Sequence, residues 1–261
     1  MIAMMSFLRA LATACASSIV VALCILVHRV LFPPVLSFPW TMPSENTRGR
    51  KAEKGMTVIF AGSFNPPHWG HLVMIRYLAD RYGRVICCIG VNPNKRYDVS
   101  PQARARILRD MLVGSSADDG SRRRDNVQVE VVTGYIWRYA RAQGASLFFR
   151  GIRTWAADGR EERRLQILNS WGPLLLGRMW PMRTIFLEGD PRYRNVSSTR
   201  TRKICEDVRR LRTRVGRGEG GAKDDDDDDD GDELSRSVDE LMTLVPRCVA
   251  DRIVEAYGTE A

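Results

Sequence analysis

The chain is short of lysine, short of histidine and, over its first 44 residues, empty of Asp and Glu. Only five of its 40 basic residues are Lys, and only Lys95 and Lys203 fall between residues 56 and 212. Arginine is thus the default cation, and a lysine marks a place where a compact point charge replaces a planar fork. The six cysteines (Cys15, Cys24, Cys87, Cys88, Cys205, Cys248) show no metal-ligand spacing, and two of them are adjacent in an apolar run, RVICCIGV. That excludes a zinc-finger-type site and a disulfide framework, and it predicts buried free thiols of a reducing compartment. No internal repeat is present, so the chain is not a solenoid.

The missing acids of the N-terminus frame a run of 17 uncharged, mostly apolar or small residues from Leu11 to Val27, flanked by Arg9 and by His28 with Arg29. Residues 1–44 therefore read as a targeting or anchoring segment at the lower length limit for a membrane span. Signal anchor, cleaved signal peptide and organelle presequence all stay open, and the expected location is a membrane or an organelle such as a mitochondrion or plastid. Four prolines (Pro33, Pro34, Pro39, Pro43) then break any helix, residues 45–55 read as a polar linker, and the folded domain is expected to start near Met56.

From Met56 onward the chain is basic, then acidic. Residues 56–212 carry 28 Lys+Arg against 14 Asp+Glu, whereas residues 213–261 carry 6 against 15. A basic body suits anionic ligands in general without choosing among them. Seven consecutive aspartates, Asp224–Asp230, sit in the stretch GEGGAKDDDDDDDGDE, which has no large apolar residue to bury, so residues 218–235 are expected to be a disordered insertion between the domain 56–217 and its last helix, 236–258.

Between these ends, short apolar runs alternate with helical patterns. Strands are predicted at 56–61, 85–91, 127–132, 146–149 and 184–187, and helices at 71–82, 101–113, 135–143, 158–170 and 198–212. Ser100 and Pro101 fit an N-cap and first helical residue, and Gly144 fits a helix stop. The pattern predicts an α/β fold: one domain with a Rossmann-like parallel sheet and helices on both faces. Ligands of such sheets bind beyond the carboxyl ends of the strands.

The first strand-to-helix junction, AGSFNPPHWGHL, lies at such an end. Gly62 and Gly70 allow close backbone approach, and the amides opening the next helix favour an anion, which points to phosphate. His68 and His71, three apart, hold two of the chain's three histidines in this one turn. Zinc is the competing role, but His28 lies in the N-terminal segment and no Cys is near in sequence.

GSFNPPHWGHL resembles the first signature of the nucleotidylyltransferase superfamily, (T/H)-x-G-H, and VSSTRTRKI, residues 196–204, resembles its second, I-S-S-(T/S)-x-x-R. NPNKRYDVSPQARARILRDML and FFRGIRTWAADGREERRLQILN are similar to two stretches of bacterial-type phosphopantetheine adenylyltransferase, and LVPRCVADRIVEAY to that family's last helix. The resemblance covers residues 56–212 and 240–257. It implies that His71 contacts the α-phosphate of ATP in the transition state and that His68 supports the triphosphate. Ser63, Lys95 and Arg150 would hold the phosphate of phosphopantetheine, and Asn169 its pantetheine arm. Gly62, Ser63, Phe64, Gly70, Arg153, Glu162 and Tyr193 would complete the ATP pocket, with Ser197, Ser198 and Thr199 on the β- and γ-phosphates. The implied cofactor is Mg²⁺, with no protein-bound metal site.

The implied partners are ATP, phosphopantetheine, a membrane through residues 11–27 and, as an open option, a second copy of the chain; nucleic acid is not among them. The chain departs from the family's pattern in three places. Asn65 replaces the usual Asp, one residue is inserted between Arg153 and Glu162, and Tyr193 stands where Trp is common. The resemblance implies transfer of AMP to phosphopantetheine in coenzyme A synthesis. The alternatives are nicotinamide mononucleotide adenylyltransferase, which shares the first signature but has a different middle segment, and a membrane-tethered nucleotide-binding scaffold without turnover.

Overall fold

Each of the five apolar runs forms a strand, and a sixth, unexpected strand joins them. The computed structural model describes residues 2–32, 34–41, 53–91, 97–118, 120, 124–177, 181–217 and 227–258. Its strands are β1 (Val35–Leu36), β2 (Thr57–Gly62), β3 (Arg84–Val91), β4 (Val127–Thr133), β5 (Leu147–Ile152) and β6 (Arg183–Glu188). All pair in parallel, in the order β1-β6-β5-β2-β3-β4. The helices are α1 (Ile2–Leu31), α2 (Trp69–Arg81), α3 (Pro101–Asp118), α4 (Ile136–Ala142), α5 (Trp155–Gly177), α6 (Ser198–Arg217), α7 (Asp227–Leu244) and α8 (Arg247–Tyr257).

Neighbouring residues of a strand face opposite ways, so a continuous apolar run is buried on both sides. Val58, Phe60, Val85, Cys87, Ile89 and Phe149 enter the larger core with α2, α3, α6, α7 and α8. Ile59, Ala61, Ile86, Cys88 and Phe148 enter a smaller core with Trp137 and Ala140 of α4. The expected α/β fold with helices on both faces is therefore present. From β2 the chain winds outward through β3 and β4, then returns to the other side of β2 for β5 and β6. The reversal leaves a crevice beyond the carboxyl ends of β2 and β5. Ser100 Oγ accepts from the Ala103 amide at 3.2 Å, capping α3, and Gly144 adopts φ +65° just after α4.

Four expectations need correction. The folded domain includes residues 34–41: Val35 and Leu36 lie opposite Phe186 and Leu187 of β6, and Trp40 is only 7% exposed in the larger core. A two-residue strand between prolines has no periodicity to read, and an edge position tolerates the missing donors. The acidic stretch is helical from Asp227, so residues 227–235 are not disordered, while 218–226 lie outside the described residues. Asp230 meets Arg214 of α6 at 3.1 Å. The single C-terminal helix is two, because Pro246 (φ −60°, ψ 143°) lacks the amide that would continue α7 and caps α8 instead. Lastly, Cys87, Cys88 and Cys205 are buried free thiols, but Cys15, Cys24 and Cys248 are exposed. Burial pushes the Cys88 thiol up to about 12.

Candidate active site

A cleft of about 930 Å³ opens beyond the carboxyl ends of β2, β5 and β6, at the reversal of strand order. One wall is the turn from Gly62 to His68. Phe64 holds φ +47°, an uncommon left-handed conformation for a bulky residue. Its ring is fully buried between Phe60 and His71, at centroid distances of 5.8 and 5.0 Å. Three carbonyls of this turn are held by side chains from other elements. Arg104 of α3 donates to Ser63 O, Arg202 of α6 donates to Asn65 O, and Ser198 Oγ of α6 donates to Pro66 O at 2.9 Å. The two signatures, 132 residues apart at this last contact, are thus physically tied.

His68 precedes α2 and His71 lies in its first turn, and their rings stack at a centroid distance of 3.8 Å. Gly70 makes room for this: a Cβ there would stand 3.2 Å from the His68 ring. Each histidine lines the cleft, yet its Nδ1 is enclosed without a hydrogen-bond partner among the described residues. Enclosure disfavours the charged form, lowering His71 to about 4 and His68 well below the usual range, His71 being the smaller cause for the latter. Both are neutral at pH 7, and a neutral imidazole offers one N–H donor.

The opposite wall is the start of α6. Ser197 Oγ accepts from the Arg200 amide at 3.2 Å and Ser197 O from the Thr201 amide at 2.9 Å, an N-cap that leaves Ser198 and Thr199 facing the cleft. Two helix starts, α2 and α6, therefore converge on one space, each with the partial positive charge that favours phosphate. Arg194 and Lys203 also line it and form no ion pair among the described residues, whereas Arg200 pairs with Glu240 of α7 at 2.6 Å.

Most of the expected site residues meet here. Ser63, Gly70 and the two histidines line one side, Tyr193 and Ser197 to Thr199 the other, and Arg153 the floor behind β5. Gly62 and Phe64 shape the turn from behind: a Cβ on Gly62 would lie 3.1 Å from the Phe64 ring. Arg153 is held by Asp158, which accepts from its Nη2 and its amide, both at 2.6 Å. Glu162 does not line the cleft. It forms a two-point ion pair with Arg150, which does not line it either. Asn169 of α5 is likewise outside the lining, and Lys95 lies outside the described residues. Among the described residues no group of three or more His, Cys, Asp or Glu could hold a metal.

The sequence reading missed Ser37, Phe38 and Glu188 in the lining and the buried Arg104 behind it. Glu188 had a signal, an acid closing the apolar strand TIFLE at its carboxyl end. The other three had none.

Residues 59–204 match the cytidylyltransferase-like family. The phosphopantetheine adenylyltransferase of Chromobacterium violaceum is 34% identical over 143 residues, which is 54% of this chain and 77% of that protein. The chain belongs to the phosphopantetheine adenylyltransferase family. Its counterpart from Methylobacterium nodulans is 34% identical over 152 residues, 57% of this chain and 83% of that one. Among solved structures, nicotinic acid mononucleotide adenylyltransferase of Plasmodium falciparum, complexed with NaAD, is similar at TM-score 0.47 and 11% identity, covering 77% of this chain and 95% of that one. The region matched by the family runs from within β2 through β6 and holds both signatures, and it leaves β1 outside.

Proposed function

We propose that the chain transfers the adenylyl group of ATP to 4′-phosphopantetheine, giving dephospho-coenzyme A and pyrophosphate. The observation that carries this reading is the convergence of two helix starts and a neutral histidine pair on one cleft, in a member of the family. A phosphate oxygen of phosphopantetheine forms the new bond to the α-phosphorus, and the bond from that phosphorus to the bridging oxygen of the β-phosphate breaks. The attacking phosphate is already ionised at neutral pH, so no residue has to remove a proton. Catalysis is positioning and stabilisation of the charge that builds on the α-phosphate oxygens.

In this scheme His71 donates to the α-phosphate and His68 supports the triphosphate. The α6 start, with Ser198, Thr199 and Lys203, holds the β- and γ-phosphates. Ser63 and Lys95 take the acceptor side, whereas Arg150, ion-paired with Glu162, and Asn169 lie outside the cleft lining and need a rearrangement to reach it. A divalent cation, Mg²⁺, fits this cleft only as a companion of the nucleotide. The described residues offer no three-ligand cage, and such ions are held largely by substrate phosphates. It would supply neutralisation of the triphosphate. We also propose that α1 anchors the protein, since Met4–His28 is long and apolar enough to cross a membrane.

The test is turnover of ATP with phosphopantetheine and with nicotinamide mononucleotide side by side, read as pyrophosphate release and product mass. Adenylylation of phosphopantetheine is expected. Exclusive use of the mononucleotide would overturn the acceptor, and failure of both would overturn the reaction.

A further inference from the structure

The two phosphate-binding helix starts follow β2 and β6, so a triphosphate spanning them leaves the rest of the nucleotide over the ends of β5, β6 and β1. That half of the cleft is walled by Ser37 and Phe38, residues from the segment that lies outside the matched region. It contains three carboxylates. Asp158 is paired with Arg153 at 2.6 Å and Asp190 with Arg192 at 2.6 Å. Glu188 forms no ion pair among the described residues.

Glu188 is nonetheless held in place at three points. Ser37 Oγ donates to its Oε2 at 2.6 Å, the Trp155 amide donates to its Oε1 at 3.1 Å, and Trp40 Nε1 donates to its main-chain oxygen at 2.8 Å. Two of these donors come from the β1 segment. Each carboxylate oxygen can accept more than one hydrogen bond, so both retain acceptor capacity after these contacts. Beside them the Phe38 ring lines the cleft, perpendicular to Trp40 at a centroid distance of 5.2 Å and with the Arg192 guanidinium 5.9 Å from its centroid. A flat ligand with an amine on its edge suits that combination. A carbonyl on the same edge would face carboxylate lone pairs.

We infer that Glu188, fixed by Ser37 and Trp155 and flanked by Phe38, reads the exocyclic amine of the nucleobase and so selects a 6-aminopurine nucleotide over a 6-oxopurine one. The β1 segment is then a specificity element of this chain and not only a leader to its fold. The inference rests on the nucleotidyl-transfer reading above, but not on the identity of the acceptor.

The test compares ATP with inosine triphosphate on the full-length protein, both as binding by calorimetry and as kcat/KM with phosphopantetheine. Glu188→Gln keeps the side-chain volume, removes the charge and adds a donor that can meet a 6-oxo group. It should lower the ATP-to-ITP preference about tenfold to a hundredfold, the loss expected for a hydrogen bond to a charged acceptor. Ser37→Ala, which only frees the carboxylate, should lower it about threefold to tenfold. The preference for ATP over 2′-deoxy-ATP, the KM for phosphopantetheine and the Mg²⁺ dependence should stay within twofold. An unchanged ATP-to-ITP ratio in folded Glu188→Gln would overturn the inference. So would a change confined to the 2′-deoxy ratio, which would mean a ribose contact, or to the Mg²⁺ dependence, which would mean a metal ligand. If phosphopantetheine is the wrong acceptor, turnover with it is absent while the binding ratio still responds to both substitutions.

Discussion

His68 and His71 show how one turn converts burial into chemistry. Stacked at 3.8 Å with enclosed ring nitrogens, they are neutral across the physiological range, His71 having been lowered to about 4. If His71 donates to the α-phosphate mainly as the transition state forms, His71→Ala should reduce turnover about a hundredfold to a thousandfold. ATP affinity should change little, because the α6 start still holds the triphosphate. Steady-state kinetics and calorimetry on one preparation separate the two effects, and near-normal turnover would remove His71 from the mechanism. The same burial predicts a pH dependence of stability. Both folded-state pKa values lie below the unfolded value of 6.5, so the unfolded chain binds the extra protons. Stability should be fully present above about pH 6.5 and fall as pH drops towards 4. The melting temperature of the wild type should therefore decline more steeply over that window than that of His68→Asn/His71→Asn. Parallel profiles would mean the rings are not held neutral by the fold.

At the scale of elements, strands β2 to β6 were legible because each is a continuous apolar run bounded by polar or turn residues, the pattern of a strand buried on both faces. The turn proposed to bind phosphate was legible because Gly70 and two scarce histidines share it. The pairing of Glu162 with Arg150 and the buried Arg104 were not, since partners brought together across the sheet leave no trace in spacing. The start of α7 was hidden for another reason: the composition of an aspartate run argues for disorder, and only the basic face of α6 makes a helix tolerable there. Arg200, Arg212 and Arg214 of α6 meet Glu240, Asp251 and Asp230 of α7 and α8 at 2.6, 2.8 and 3.1 Å. Pairs this exposed contribute at most about 1 kcal/mol each. Replacing residues 218–226 by a Gly-Ser linker of equal length should leave kcat within a few fold and the melting temperature nearly unchanged, as loop closure changes little. Extending the replacement through Ser235 should lower the melting temperature, more so at low salt, because it removes the first turns of α7. If the shorter replacement abolishes turnover, the aspartate run takes part in the reaction.

At the scale of the whole molecule, the described chain divides at Pro34 rather than at Met56. On one side lies α1, mostly exposed and apolar, touching the body at α5 and burying Leu26. On the other, β1 extends the sheet, Trp40 fills the core against Tyr77 at a centroid distance of 5.0 Å, and Ser37 reaches the cleft. Two truncations therefore have different expected outcomes. A chain beginning at Pro34 should keep its melting temperature and its turnover and lose only the membrane partition proposed for α1, measured by detergent-free fractionation against the full chain. A chain beginning at Lys54 also loses β1 and Trp40, and removing a buried Trp costs about 3–5 kcal/mol. For a domain of this size that corresponds to a melting temperature lower by roughly 6–20 °C. Glu188 would be left with one of its two side-chain donors, so the ATP-to-ITP preference should fall along with stability. Equal stability and equal nucleotide preference in the two truncated chains would show that residues 34–41 are a passive leader and would return the domain boundary to Met56.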